Sequence, residues 1–331
     1  MNSKADFSLL SDIEVLSSRG NASKRESFPF FKTLEGNMTL REAIEEVGSK
    51  FGDKMYEEEV IEQELEVCDI QEKDNPQYVS EYASTIFKYL RENEEKFIAK
   101  NGYMSKQTDI NEKMRAILID WLIDVHLKFK LLPETLFLTV NIVDRYLEVS
   151  TVSRQKLQLV GVTSMLIASK YEEIYAPEIN DFVYVTDKAY TREEVLEMEG
   201  KILASLKFNL TCTTSYRFLE RYAKVHGVDE RTNNLAKYLI ELALIEYKML
   251  KYSQSNIASS ALYLACKILK KEAWNDTLAR NTEYSEAQIR PGAKDLCVLL
   301  QNASRTSLQA VKKKFAATKY MEISKIQLDK H

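Results

Sequence analysis

The sequence predicts an all-α protein with two tandem helical domains. Glycine and proline are scarce, with 9 and 5 residues among 331, whereas they make up about 7% and 5% of an average protein. This shortage of helix breakers favours long helices joined by short connections. Apolar residues also recur at helical spacing between recognisable caps, and one helical segment occurs twice.

The first 74 residues are predicted to form a disordered, acidic N-terminal region. Residues 1–38 are Ser-rich and aperiodic, and acidic residues greatly outnumber basic ones between residues 42 and 74. A segment of this composition buries too little apolar surface to offset the entropy of folding. We therefore expect residues 1–74 not to contribute to the folded core.

Residues 75–108 are predicted to form an N-terminal helix and a linker. Pro76 opens the helix, and Asn101-Gly102 stops it after about Lys100. Aromatic and aliphatic residues form a stripe along this helix. The stripe needs either the following domain or a partner to cover it.

Five helices with clear start signals follow in residues 109–210, the first predicted domain. Side chains at the N-cap accept backbone hydrogen bonds, and proline suits the first turn of a helix. The predicted starts are Asp109 or Asn111, Pro133, Ser153, Pro177-Glu178 and the capping box of Thr191 and Glu194, whose helix ends near Leu206.

Residues 211–322 are predicted to form a second domain of the same kind, followed by a tail at residues 323–331. Residues 160–170 align with residues 257–267, and both segments carry small residues that let neighbouring helices approach closely. Each copy is expected to be the central helix of a small bundle. Helices are predicted at residues 213–226, 230–250, 254–271 and 293–313, with Pro291-Gly292 breaking the pattern.

Residues 114–126 predict a helix that is apolar nearly all round. A surface helix needs only one apolar stripe. This helix is therefore either a central core helix or one whose second apolar face serves a partner. Arg115 lies at its apolar beginning, and because an unpaired buried guanidinium is very costly, Arg115 requires an acidic partner.

Charge and cysteine usage argue against several classes of protein. A net charge of −4 and a pI near 5.7 disfavour a nucleic-acid binder, and the compact basic cluster Lys312-Lys313-Lys314 is typical of a solvated helix end. The four cysteines show no C-x-x-C spacing, so we expect free thiols and no metal or other cofactor. No apolar run is long enough to span a membrane, and we expect a soluble, intracellular protein.

Catalytic constellations are missing from the sequence. It contains no G-x-x-x-x-G-K, G-x-G-x-x-G or H-E-x-x-H motif and no kinase H-R-D or D-F-G signature. His126 lies beside Asp124 and Lys128 and is expected to be an exposed, solvated histidine. We expect this protein not to be an enzyme.

Three ordered motifs carry a resemblance to a known family. These are residues 114–126, the Lys-Leu-Gln-Leu-Val-Gly of residues 156–161 and the Ala-Ser-Lys-Tyr-Glu-Glu of residues 168–173. Over residues 75–322 the chain resembles cyclins, most closely the B-type mitotic ones. The resemblance implies two tandem five-helix cyclin boxes and a regulatory subunit that activates a cyclin-dependent serine/threonine kinase at the G2/M transition, in nucleus and cytoplasm.

The resemblance also implies a kinase-binding surface. In the family, residues at the positions of Lys170 and Glu199 bond main-chain groups that flank the kinase αC helix, and a pocket takes an isoleucine of that helix. The pocket positions are equivalent to Ile167, Tyr171, Leu203, Phe208 and Leu210, and the N-terminal helix contributes Tyr82, Ile86 and Tyr89. For the apolar members the alternative is simple core packing.

A second implied surface docks protein substrates that carry Arg-x-Leu motifs. Its equivalent positions here are Met114, Ile117, Leu118, Trp121, Leu157 and Gln158, with Asp124 as the acid for the arginine of the motif. The family pattern also pairs Arg115 with Asp144. An alternative function of another class is a cyclin-fold scaffold or transcription-associated binding module, which the acidic pI and the Lys170/Glu199 pair disfavour.

Overall fold

The computed structural model describes residues 66–326, and within this range every regular element is a helix. The predicted all-α class is confirmed. Two bundles, joined by a shared apolar boundary, follow an N-terminal arm.

The arm begins with α1 (Val67–Gln71), a 3-10 turn (Ser80–Tyr82) and α2 (Ala83–Asn93), followed by 3-10 turns at Glu94–Phe97 and Tyr103–Lys106. The predicted helix of residues 76–100 is therefore shorter than expected at both ends. Val79 precedes it with a left-handed φ of 48°. This conformation is unfavourable for a β-branched residue, and it turns the chain before the helix starts.

The expectation that residues up to 74 stay outside the fold is wrong for residues 66–74. The side chain of Asp69 in α1 is buried and forms an ion pair with Arg221 in the second bundle. Opposite charges far apart in sequence attach this segment, which is why its local composition did not reveal the helix. Residues 1–65, which contain the rest of the predicted disordered region, lie outside the described residues.

The first bundle contains α3 (Glu112–Phe129), α4 (Pro133–Val149), α5 (Arg154–Glu172), α6 (Ile179–Val185) and α7 (Arg192–Ser205). Asn111, rather than Asp109, caps α3 and accepts the Met114 N–H at 3.0 Å. Gly161 lies where the central helix α5 meets α3. A Cβ there would lie 2.7 Å from a methyl carbon of Leu118, so the close approach of the two helices requires glycine.

The second bundle contains α8 (Ser215–His226), α9 (Glu230–Ile245), α10 (Gln254–Ile268), α11 (Asp276–Thr282) and α12 (Glu286–Asn302). A 3-10 turn at Tyr247–Lys251 joins α9 to α10. After α12 come α13 (Ala310–Phe315) and 3-10 turns at Thr318–Tyr320 and Ile323–Lys325. Ile323 is buried, so the predicted tail of residues 323–331 begins too early.

The prediction that Pro291-Gly292 breaks the helical pattern is wrong, because α12 runs through both residues. Pro291 removes one backbone donor early in the helix, a cost that tertiary packing offsets. Gly292 lies against α10, where a Cβ would collide with Ser260 Oγ. That hydroxyl donates to the Ile289 carbonyl oxygen at 3.0 Å and joins the two helices.

The second apolar face of α3 lies against the second bundle. Leu118 and Leu122 pack in the core of the first bundle, whereas Ile119 and Ile123 belong to the core built mainly from α8–α12. Phe137 of α4 joins this second core as well. The partner of the nearly all-round apolar helix is therefore the second half of the same chain.

Candidate partner-binding site

Lys170 and Glu199 form an ion pair at the surface of the first bundle. The Lys170 Nζ lies 2.7 and 3.0 Å from the two carboxylate oxygens of Glu199, which brings the end of α5 to α7. The Lys170 side chain is 51% exposed and that of Glu199 14%. An ammonium has three donors and a carboxylate about four acceptor positions, so both groups keep capacity for main-chain groups of a partner.

The predicted isoleucine pocket divides into exposed and buried members. Phe208 is 71% and Tyr171 49% exposed, while Leu203 and Leu210 are half-buried against the core. Ile167 is buried in that core. The exposed rings are thus available to a partner, whereas Ile167 belongs to the core of the first bundle.

The backbone conformation at residues 207 and 208 places the Phe208 side chain at the surface. Lys207 and Phe208 both adopt left-handed φ angles, of 53° and 58°, which cost non-glycine residues free energy. The Phe208 N–H donates to the Leu203 carbonyl oxygen at 2.9 Å and ends α7. The Tyr171 hydroxyl lies 2.5 Å from Thr211 Oγ1, which fixes the second ring.

Helix α2 has two different faces. Phe87 and Leu90 pack against the core of the second bundle, and the ring centroids of Phe87 and Phe218 are 6.4 Å apart. Ala83 is buried as well. The opposite face carries the three predicted contact residues, all exposed to solvent: Tyr82, Ile86 and Tyr89. The described part of the chain therefore covers half of the predicted stripe and leaves the other half free.

Glu94 and Thr213 hold the end of α2 in place. The Glu94 carboxylate accepts the Ser255 N–H at 2.8 Å and its hydroxyl at 2.6 Å, at the beginning of α10. Burial raises the pKa of Glu94 above its ordinary value. Thr213 donates to the Leu90 carbonyl oxygen at 3.5 Å, so the arm adjoins the segment that follows Phe208 and Leu210.

The predicted substrate groove lies on α3 and the start of α5. Ile117 is half exposed, and Met114, Trp121 and Gln158 are partly buried. Asp124 is exposed, as a group that receives an arginine must be. Leu118 and Leu157 are only 5% exposed and belong to the core of the first bundle, so they form the floor of the surface rather than its contact face.

Asp120, which was not predicted, borders this surface. Its carboxylate accepts the Ala310 N–H at 2.9 Å and thereby caps α13. Burial raises the pKa of Asp120, and the nearby Asp124 carboxylate adds to this effect. Helix α13 therefore adjoins the predicted groove at Asp120.

Arg115 and Asp144 form the ion pair that the resemblance implied. Two guanidinium nitrogens donate to the two carboxylate oxygens at 2.6 and 2.7 Å. The remaining terminal nitrogen donates to the carbonyl oxygens of Leu244 and Ile245 at 3.1 and 3.2 Å, at the end of α9. The Tyr103 hydroxyl completes the group by donating to Asp144 at 2.8 Å. Sequence reasoning missed this link between the bundles.

His126 is buried, so the prediction of an exposed histidine is wrong. Its Nε2 lies 3.0 Å from the Leu132 carbonyl oxygen. Burial, with the nearby Lys314 ammonium, lowers the pKa of His126 to about 3. Lys314 is itself buried and pairs with Glu241 at 2.6 Å, so the predicted solvated helix end is wrong for this lysine. Lys314 belongs to α13, which therefore lies close to His126.

No group of three or more His, Cys, Asp or Glu side chains among residues 66–326 is arranged to hold a metal ion. The helices described there are all too short or too polar to cross a bilayer.

Residues 66–326 thus define an all-α protein of two tandem helical bundles, with exposed apolar and charged groups that suit the binding of a partner. A family model for the cyclin N-terminal domain matches residues 85–211, and one for the C-terminal domain matches residues 213–329. The chain belongs to the cyclin family. The N-terminal match includes α2, which the predicted boundary at residue 109 left outside the first box.

Curated relatives of high similarity are named G2/mitotic-specific cyclin-B. The chain is 49% identical to that of Marthasterias glacialis, over 79% of this chain and 68% of the relative. The relative from Patella vulgata is 48% identical, over 79% of this chain and 64% of the relative. The relative from Dictyostelium discoideum is 45% identical, over 79% of this chain and 60% of the relative. The chain thus spans about two thirds of the length of the curated relatives it matches.

Solved structures show the same fold at low identity. A viral cyclin from herpesvirus saimiri has a TM-score of 0.58 at 21% identity, covering 65% of this chain and 97% of that one. A chain of the yeast RNA Pol II CTD kinase complex has a TM-score of 0.53 at 15% identity, covering 66% and 83%.

Proposed function

We propose that this chain is the regulatory subunit that binds and activates a cyclin-dependent serine/threonine kinase at the G2/M transition. Membership of the cyclin family and the names of its relatives support the mitotic role. The observation that carries the proposal is the exposed Lys170–Glu199 pair with Tyr171 and Phe208 beside it. Charged anchors next to exposed aromatic side chains are typical of binding hot spots.

The proposed activation mechanism rests on packed helices that hold Lys170 and Glu199 in position. Lys170 lies on the central helix of the first bundle, and Glu199 lies on α7, which packs against that helix. The bundle offers donors and acceptors that are already positioned. A kinase helix that moves inward to meet them gains this binding energy only in its active position, so the complex favours the active state.

Substrate recruitment is the second part of the proposal. Ile117, with the partly buried Met114 and Trp121, offers an apolar surface for the leucine of an Arg-x-Leu motif, and Asp124 offers a carboxylate for its arginine. In this proposal the chain itself catalyses no reaction and the kinase supplies the chemistry. In the same proposal this chain acts in the nucleus and the cytoplasm. Imaging of the tagged full chain through the cell cycle tests this location.

The test mixes the purified full chain with a purified cyclin-dependent kinase and measures phosphorylation of a serine peptide. Wild type should activate the kinase, and Lys170→Ala/Glu199→Ala should abolish activation, because buried charged hydrogen bonds lost at an interface cost about 2–5 kcal/mol. Lys201→Ala/Glu197→Ala is the matched control, since it removes an exposed ion pair on the same helix α7. Unchanged activation by the first variant, or no activation by wild type, would refute the proposal.

A further inference from the structure

Helix α1 points its one charged side chain, Asp69, inward and its aliphatic side chains, Val67 and Ile70, outward. Asp69 is buried and accepts two guanidinium hydrogen bonds from Arg221, at 2.5 and 2.7 Å. Val67 and Ile70, three residues apart on the other face, are 70% and 58% exposed. A helix on a protein surface normally buries its apolar side chains, so this orientation needs a physical reason.

The ion pairs fix the orientation of α1. Glu72 pairs with Lys224, and Glu66 accepts hydrogen bonds from Arg280 at 3.1 Å and Asn281 at 2.7 Å. A rotation that buried Val67 would leave Arg221 without its carboxylate in a buried position, which is strongly unfavourable. The apolar face is thus held outward by the charges on the inner face.

The exposed side of α1 lies next to the beginning of α2. Helix α1 packs against the 3-10 turn Ser80–Tyr82 at the beginning of α2. Tyr78 and Val79, between the two helices, are 50% and 46% exposed. We call the resulting set of exposed side chains the arm surface: Val67, Ile70, Tyr78, Val79, Tyr82, Ile86 and Tyr89. Exposed apolar side chains grouped on neighbouring elements in this way are typical of an interaction site.

We propose that the kinase covers the whole arm surface, so that α1 extends the kinase-binding surface beyond α2. This rests on the proposed function, in which the kinase covers Tyr82, Ile86 and Tyr89. Tyr82 belongs to the 3-10 turn against which α1 packs, so a partner that binds Tyr82 lies next to α1. Because the arm surface adjoins the proposed kinase contacts at Tyr82, we infer that the kinase covers it, rather than residues 1–65 or a second copy of the chain.

The experiment compares full-length Val67→Ser/Ile70→Ser with wild type by calorimetry against a purified cyclin-dependent kinase. The double change keeps the inward ion pairs and removes only the outward apolar groups. Because the contact buries two aliphatic side chains, the Kd should rise by about tenfold or more. Val298→Ser, at a 47% exposed position on α12, is the matched control and should bind like wild type.

Amide hydrogen exchange gives the second readout. Exchange of residues 67–71 should slow when the kinase is added to the wild-type chain. An unchanged Kd for the double variant overturns the inference while the proposed function stands. So does exchange of residues 67–71 that the kinase leaves unchanged. In that case a dimer in sedimentation would indicate a second copy as the occupant, and a monomer would indicate residues 1–65. If wild type binds no kinase, both proposals fail.

Discussion

Arg115 and Asp144 form a bidentate ion pair at the junction of three helices. Arg115 lies on α3 and Asp144 on α4, and the guanidinium also donates to the carbonyl oxygens that end α9 in the second bundle. Side-chain exposures of 1% and 4% place the pair away from water. The pair therefore connects α3 with α4 in the first bundle, and it also connects the first bundle with the second.

Arg115→Ala should destabilise the whole protein. The change leaves Asp144 as a buried unpaired carboxylate and should cost about 3–5 kcal/mol of unfolding free energy. Trp121→Ala, on the partly buried groove, should cost less stability and mainly weaken binding of an Arg-x-Leu peptide. Thermal melts and peptide titrations separate the two effects. If the melting temperature falls by the same amount in both variants and Trp121→Ala binds the peptide like wild type, Trp121 belongs to the core.

Gly292→Ala should destabilise the second bundle. Its new methyl group would collide with Ser260 Oγ between α10 and α12, and overpacking of this kind typically costs about 1–3 kcal/mol. Gly200→Ala is the control, because nothing lies within 4 Å of a Cβ at that helical position. The control should gain up to about 1 kcal/mol. Urea titrations that rank the variants in the opposite order would show that α12 can shift away from α10 at little cost.

His126 should make the protein less stable as the pH falls. The pKa of His126 in the folded chain is about 3, because of burial and the nearby cations Lys314 and Lys319, whereas an unfolded histidine titrates near 6.5. Between these two pKa values the histidine is protonated in the unfolded chain and neutral in the folded chain. The folded state therefore loses stability as the pH falls from about 6.5 towards 3. The loss at pH 5 should be about 2 kcal/mol.

His126→Gln isolates this contribution. Glutamine can still donate to the Leu132 carbonyl oxygen but does not titrate, so the variant should lose less stability than wild type between pH 7.5 and 5. His226→Gln, at the half-buried end of α8, serves as the control. Equal pH dependence of His126→Gln and wild type in urea titrations would contradict the assignment.

Asp69→Asn should release α1 from the second bundle. Arg221, buried beside Phe87, would lose its carboxylate, at a cost of about 3–5 kcal/mol in stability. Asp74→Asn, at an exposed position just beyond α1, should have no measurable effect. Melting temperatures test the difference. A chain beginning at Asp74 should therefore be less stable than the full chain, contrary to the expectation from composition.

The sequence predicted the elements whose signals act over one or two helical turns. Asn111 and Thr191 mark helix starts because their side chains bond backbone N–H groups three residues away. The repeated small residues likewise predicted the central helices α5 and α10, since a bundle centre needs close approach. A charge at the apolar start of α3 was enough to require an acid, and the family resemblance named Asp144.

Only the tertiary structure decided which faces are buried. Ile119 on α3 could have met a separate partner, but it meets the second bundle of the same chain. His126 and Lys314 are polar in sequence and buried in the fold, because α13 returns to cover α3. The acidic segment at Asp69 folds because Arg221, far along the chain, neutralises it. Periodicity and caps are local, whereas burial depends on groups brought together from distant positions, so the sequence by itself set the helices and the tertiary structure assigned their faces.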